Sequence, residues 1–275
     1  MSEKKAEMSQ AMKEKLTPKN FIKNPIKGTK YALMVSSAKG GVGKSTFAVN
    51  LAFALKNLGK KIGILDADIY GPSLPKLIGK NEKPENKDGK YIVPIDSHGV
   101  QCMSMGFLVE ETTPMIWRGP MVISAIKTLT ERVLWKDLDI IVIDMPPGTG
   151  DTQLTFAQDI KVDGAIIIST PQDIALLDVK RGIQMFDKTK INIFGLVDNM
   201  SFFKGDDGKH YSIFGEGGVE KTAKEFNKDF LGKIPLQQDL RISADKGVPL
   251  TLSDTNHEIS LVFKEIAEKI LKKLN

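Results

Sequence analysis

The stretch Val35-Ser36-Ser37-Ala38-Lys39-Gly40-Gly41-Val42-Gly43-Lys44-Ser45-Thr46 constrains this chain more than any other. An apolar run at 31–35 precedes the glycines and an amphipathic segment at 47–58 follows them, so the sequence predicts strand, loop and helix in that order. Glycines at 40, 41 and 43 admit positive φ and close backbone approach, which lets several N–H groups converge on one anion. The helix behind them turns its positive dipole end toward that anion. Lys44 adds a point charge suited to β- and γ-phosphates, and the Ser45 hydroxyl is placed to ligate Mg²⁺, which is the chemistry behind G-x-x-x-x-G-K-[ST]. Ala38 stands where that pattern has its first glycine. The departure is mild, because Ala is the next smallest residue and Gly40-Gly41 supply flexibility just beyond it.

Lys39 sets this loop apart from an ordinary phosphate loop. The run Lys39-Gly40-Gly41-Val42-Gly43-Lys44-Ser45 resembles the deviant Walker A of the MinD/ParA-type ATPases. The resemblance implies a lysine that reaches across a homodimer to the partner's nucleotide. Read without it, Lys39 is a solvated surface lysine.

At 275 residues the chain suits one large α/β domain, read as 31–275, behind a lysine-rich tail at 1–30. The net charge of +5 lies wholly in that tail, which holds eight lysines against three glutamates, so the rest of the chain is neutral. A basic footprint for nucleic acid is therefore missing from the expected fold. The tail reads as a disordered or fraying solubilising leader rather than a DNA-binding arm. No apolar stretch approaches the roughly 18 residues of a membrane span, and the N-terminus lacks a signal peptide's apolar region. The expected location is the cytoplasm. The single cysteine, Cys102, excludes an intramolecular disulfide framework and reads as a buried, inert thiol.

Residues 61–66 form a short apolar run closed by Asp66, the pattern of a buried parallel strand with its carboxylate at the C-terminal edge. Asp66-Ala67-Asp68 can divide the labour at a phosphate site, one acid holding Mg²⁺ directly or through water and the other orienting the attacking water. The same pair can simply cap the next turn. Residues 69–75, rich in proline and glycine, read as a loop able to change shape with a ligand. Residues 81–105 alternate weakly and suggest a hairpin or edge strand outside the main alternation. A helix is expected from about 115 to about 135. Residues 138–144 look like a Walker B strand ending in Asp144, followed by a second loop at 145–151. Strands at 164–169, 191–197 and 230–234 and helices at 174–186 and 219–226 continue the alternation. It predicts an α/β fold with a doubly wound, mostly parallel sheet and helices on both faces.

At the C-terminus, Ile259, Val262, Phe263, Ile266, Ala267, Ile270, Leu271 and Leu274 follow helical spacing, with Lys264, Lys269, Lys272 and Lys273 turned away. Such a helix packs on the sheet or lies on a membrane, and packing is the commoner outcome.

Taken together, four blocks identify the chain as resembling the Mrp family of ATPases, iron–sulfur cluster carriers related to MinD. They are Lys39 to Thr46, Asp66 to Pro75, Trp117-Arg118-Gly119-Pro120 and Asp144 to Asp151, joined by Thr170-Pro171-Gln172 and Asn199-Met200-Ser201. The resemblance implies a P-loop NTPase of MinD-like fold. It places Ala38, Lys39, Gly40, Gly41, Val42, Gly43, Lys44, Ser45 and Thr46 at the phosphates and Asn199 near the adenine. It assigns Mg²⁺ to Ser45, Asp66 and Asp144, and catalysis to Lys39, Lys44 and Asp68. It further implies a homodimeric Mg-dependent ATPase acting on apo iron–sulfur proteins or with a cluster-binding partner. GTP is disfavoured, since no guanine-reading Asn-Lys-x-Asp occurs: Asn227-Lys228-Asp229 ends in Phe230.

One departure matters. The family's cluster-holding Cys-x-x-Cys usually follows the Asn-Met-Ser block, and here that stretch runs from Phe202 to Tyr211 without a cysteine. A [4Fe–4S] cluster normally takes four thiolates, and a homodimer of this chain offers two. Lys204 to Tyr211 reads as a solvated turn. The alternatives to a cluster-delivery ATPase are a MinD/ParA-like positioning ATPase on membrane or DNA and, more weakly, a P-loop kinase.

Overall fold

The structure is a computed structural model and describes residues 23–109, 119–148 and 151–274. Its strands in chain order are β1 (Thr29–Ser36), β2 (Ile62–Asp66), β3 (Asn86–Lys87), β4 (Tyr91–Ile92), β5 (Ile95–Ser97), β6 (Val100–Ser104), β7 (Leu138–Asp144), β8 (Gly164–Ser169), β9 (Ile193–Lys204), β10 (His210–Tyr211) and β11 (Phe230–Leu236). The helices are α1 (Lys44–Asn57), α2 (Leu74–Leu77), α3 (Gly119–Glu131), α4 (Asp151–Asp159), α5 (Asp173–Lys188), α6 (Gly218–Glu225), α7 (Gln238–Asp245), α8 (Leu250–Ser253) and α9 (Glu258–Leu274).

β2 and β8 are buried along their whole length, which is why they read as unbroken apolar runs rather than alternating ones. The main sheet runs β10-β9-β8-β1-β7-β2-β6-β5, with β11 also paired to β9. Only β5 and β10, at the two ends, pair antiparallel within it. Side chains of β1 divide between the faces: Leu33 and Val35 meet α1 and α9, while Ala32 and Met34 meet the layer of α3, α4, α5 and α6. This is the doubly wound α/β sheet expected from the alternation.

Several boundaries differ from the sequence reading. Residues 24–30, expected in the tail, already belong to the domain: Asn24 bridges to Ile160, Ile26 is buried, and β1 begins at Thr29. β6 lies inside the main sheet, parallel to β2, with Val100 and Met103 buried against opposite faces. Its weak alternation hid a strand covered on both sides, and only β5 is the expected edge. The helix expected to reach about 135 stops at Glu131, because Arg132 and Leu134 spend their backbone on Ile92. Its expected start, with Trp117 and Arg118, lies outside the described residues, as do residues 1–22 and Thr149 and Gly150 of the second loop. Residues 204–211 form the end of a hairpin, with His210 and Tyr211 pairing back on Lys204 and Phe203 and the turn confined to 205–209. Helices α4 and α7 and the single-turn helices α2 and α8 are not among those the sequence predicts.

The C-terminal helix α9 packs on the sheet's first face. Ile259, Phe263, Ile266, Ala267 and Ile270 are buried, and the Phe263 ring lies 5.4 Å from that of Phe47 in α1. Two of its lysines do not turn away: Lys269 donates to the Leu231 carbonyl at 2.7 Å, and Lys273 pairs with Asp229. Among the described residues no helix is long and apolar enough to cross a membrane.

Because Phe263 is fully buried between α1 and β11, Phe263→Ala is expected to cost about 3–5 kcal/mol of unfolding free energy. Urea titration followed by circular dichroism measures it. A loss under about 1 kcal/mol would mean that α9 is peripheral to the fold.

Candidate functional site

The loop between β1 and α1 is built on left-handed backbone at Gly41 (φ +80°) and Gly43 (φ +81°). At Gly43 a side chain is excluded twice over, since a Cβ there would meet Asn199 Nδ2 at 2.4 Å. α1 starts at Lys44 with no side-chain cap and no acid in its first turn, so its leading N–H groups and positive end face the loop uncompensated. The Lys44 side chain is 7 % exposed, with Nζ 2.5 Å from Asp144 Oδ1 and 3.2 Å from Ser45 Oγ. A lysine this buried requires such a partner.

Parallel register brings the acids to the same place. Val35 at the end of β1 pairs with Asp144 at the end of β7, which pairs with Asp66 at the end of β2, which pairs with Ser104 at the end of β6. Asp66 accepts from the N–H groups of Ser73 (3.0 Å) and Leu74 (3.1 Å) and from Ser104 Oγ (3.0 Å) on one oxygen, and from Asp68 N–H (3.1 Å) on the other. Burial first, and the Asp144 carboxylate second, push Asp66 well above the ordinary carboxylate range. A metal bound directly to Asp66 would displace those donors, so its oxygens suit a metal's water better than the metal itself. Asp68, on the loop rather than the strand, is half-buried and accepts from Gly71 N–H at 3.3 Å. Burial raises it too.

The second loop is tied to the first. Met145 N–H donates to the Val35 carbonyl and Gly148 N–H to the Ser37 carbonyl, at 3.0 and 2.9 Å. Buried Gln153 of α4 donates to the Pro146 carbonyl at 2.5 Å and accepts from Ser36 Oγ at 3.3 Å. Ser37, Lys44, Ser45, Thr46, Asp68 and Ser73 thus line one cleft of about 260 Å³ with the loop glycines. Past Gly43, Thr46 and Ser73 it continues into a groove of about 360 Å³, walled by Asn199, Met200, Pro235, Leu236, Leu240 and Arg241. Asn199 Nδ2 donates to the Val42 carbonyl at 2.7 Å, which leaves Oδ1 as the acceptor. A polyphosphate fits the polar cleft, and a flat ring fits the groove.

The expected site residues therefore converge, with two qualifications. Lys39 is exposed, does not line the cleft and makes no ion pair among the described residues. Ala38 and Val42 belong to the loop but contribute no side chain to the cleft. Sequence reading missed Ser73, Ser104, Gln153 and the wall at 235–241. Ser104 was legible only if 100–104 were read as an interior strand, whereas Pro235 closing a strand was a visible signal.

Metal-holding thiolates are a different matter. Cys102 is fully buried in β6, where burial pushes its thiol far up, and among the described residues no three His, Cys, Asp or Glu side chains could hold a metal ion.

Residues 28–271 match the family described as ParA: NUBPL iron-transfer P-loop NTPase. The chain is 48 % identical over 251 residues to the iron-sulfur cluster carrier protein of Escherichia coli (strain K12), covering 90 % of this chain and 68 % of that one. Among solved structures, the nucleotide-binding protein from Archaeoglobus fulgidus in complex with ADP matches with a TM-score of 0.73 at 36 % identity, covering 85 % of this chain and 93 % of that one. The cell division ATPase MinD of Pyrococcus furiosus matches with a TM-score of 0.64 at 21 % identity over 88 % and 98 % of the two chains, a likeness of fold.

One buried carboxylate lies beside the site without a partner. Asp198, next to Asn199 on β9, is 1 % exposed and neither oxygen accepts a hydrogen bond. Burial pushes it up to about 7, opposed by Lys233 on β11 and reinforced by Glu220 on α6. A raised acid binds its proton more tightly folded than unfolded, so its contribution is present below the unfolded value of 3.8 and is lost as pH rises toward 7. Asp198→Asn should accordingly gain thermal stability on the wild type by a few degrees between pH 5 and pH 8, measured by scanning calorimetry. A Tm difference that ignores pH would show Asp198 ionised throughout.

Proposed function

The chain belongs to the ParA/NUBPL family of iron-transfer P-loop NTPases, and on that footing we propose that it binds and hydrolyses Mg-ATP in the course of carrying iron–sulfur clusters to apoproteins. One observation carries the ATP reading: buried Lys44 pairs with buried Asp144 and reaches half-buried Ser45, under a glycine loop that opens into the groove beside Asn199.

In this reading Lys44 exchanges Asp144 for the β- and γ-phosphate oxygens, while amides of residues 38–46 take the rest of the anion's charge. Ser45 Oγ and Asp144 would hold Mg²⁺, with Asp66 supporting it through water, and the ion would supply charge neutralisation at the phosphates. Asp68 accepts a hydrogen bond from the attacking water and orients it toward the γ-phosphorus; the new O–P bond forms as the β,γ-bridging bond breaks, giving ADP and phosphate. Asn199 Oδ1 accepts from the 6-amino group of adenine, a group guanine lacks. Lys39, exposed at the mouth of the loop, acts across a homodimer on the partner's nucleotide.

The cargo is where this chain departs from a simple carrier. Its one cysteine is buried and its described residues offer no ligand set, so the cluster's thiolates come from a partner protein or the receiving apoprotein. The location that suits such chemistry is a reducing, cytoplasmic one. A positioning ATPase on membrane is less supported, because the apolar face of α9 is already covered.

Lys44→Ala should abolish nucleotide binding, whereas Lys39→Ala should keep it and slow hydrolysis by about 10³-fold, the scale of a cation supplied in trans. Fluorescent-nucleotide titration and phosphate release measure both, and undiminished turnover in the Lys39 variant rules out the cross-dimer role.

Reconstituted without oxygen, the purified protein should hold well under one [4Fe–4S] cluster per dimer, and Cys102→Ser should change this little. Iron and sulfide analysis decides it. A stable four-iron dimer, lost on replacing Cys102 or His210, would restore cluster ligation to this chain.

A further inference from the structure

Ser73 has the position and the free hydroxyl of a ligand contact, and nothing in the hydrolysis scheme uses it. Its Oγ is buried and makes no hydrogen bond, which costs free energy unless something else supplies a partner. The usual employment for a serine here would be to cap α2 with its side chain. It does not do so: Leu77 N–H bonds to the Ser73 carbonyl instead, and the side chain caps nothing. Ser73 is also one of the few residues that line both the phosphate cleft and the groove, alongside Gly43, Thr46 and Leu77. A nucleotide laid from cleft to groove passes that junction with its α-phosphate and ribose.

The other end of the same residue is fixed. Ser73 N–H donates to Asp66 Oδ2 at 3.0 Å, where Ser104 Oγ and Leu74 N–H also donate, while Asp66 Oδ1 holds Asp68 N–H at 3.1 Å. Asp66 thus ties both ends of the loop 68–73 to the end of β2. Whatever holds the Ser73 side chain is connected through two hydrogen bonds to the backbone of Asp68.

We propose that Ser73 is a nucleotide contact and a positioning residue: its hydroxyl donates to the α-phosphate or ribose of the bound nucleotide, and its N–H on Asp66 sets the loop that carries Asp68. This rests on the ATP reading. ADP and ATP share the contact, so the side chain contributes to both affinities; only turnover depends on the tether to Asp68.

The test compares wild type, Ser73→Ala and Ser73→Thr by calorimetric titration with MgADP and a non-hydrolysable ATP analogue, with kcat at saturating ATP and Tm of the free protein. Ser73→Ala should weaken both nucleotides about tenfold, the scale of one hydrogen bond to a charged group, and lower kcat severalfold. Ser73→Thr, which keeps the hydroxyl, should restore both. Tm of the free Ser73→Ala protein should not fall, because the substitution removes an unpartnered buried hydroxyl; a merely structural serine would lower it. An unchanged ADP affinity overturns the contact, and a weakened affinity with unchanged kcat overturns the coupling. If the wild type binds neither nucleotide, the ATP reading itself fails.

Discussion

Burying a lysine ammonium beneath a loop of backbone amides is the constraint on which the rest of this structure turns. The amides and the end of α1 already make the place positive, so Lys44 can be buried there only against a carboxylate. Asp144 supplies it at 2.5 Å because β1 and β7 are neighbours in parallel register. A slip of one residue in that pairing would turn Asp144 toward the opposite face of the sheet. The apolar runs of β1, β2 and β7, buried on both faces, make such a slip expensive, and in that sense the core holds the site together.

A second consequence of the parallel sheet is that loops with different tasks leave it at the same edge. The loop after β1 is held by glycine conformations and by Asn199 filling the space a Gly43 side chain would need. The loop after β2 is held by one carboxylate, Asp66, which collects four hydrogen bonds. The loop after β7 is pinned by Gln153 and by the ends of β1. These are unequal attachments: the first is built into the backbone, while the second hangs on a single side chain. A loop of the second kind is the one a ligand can move.

The family and the site agree on nucleotide chemistry, and the cargo chemistry diverges from it. Where Mrp proteins are expected to carry paired cysteines, this chain continues β9 into a hairpin whose Phe202 ring stacks on His210 at 4.1 Å. An aromatic stack on a strand end is a packing solution, and the hairpin it fills holds no cysteine. The phosphate loop and the paired cysteines are therefore separate features, and this chain has the loop without the cysteines.

The phosphate loop, the strand-end acids and the alternation of the fold were all legible in the sequence because each is local. A strand buried on both faces shows as an apolar run, a phosphate loop needs its glycines at fixed spacing, and an acid closing such a strand must lie at the sheet's edge. Residues whose meaning depends on a distant neighbour were not legible. Nothing near Ser104 says that it faces Asp66, since that follows from β6 pairing with β2 across residues 67–99, and the local pattern of β6 suggests only a hairpin or an edge strand. Likewise nothing local sets Asn199 beside the phosphate loop; the fold does so by placing its amide on the Val42 carbonyl, 157 residues earlier in the chain. Sequence alone determined the phosphate loop and the strand-end acids, because glycine spacing and buried apolar runs are written in short-range pattern. Tertiary structure decided which of them touch, because hydrogen-bond geometry depends on strand order and register, and those are settled by the packing of the whole sheet.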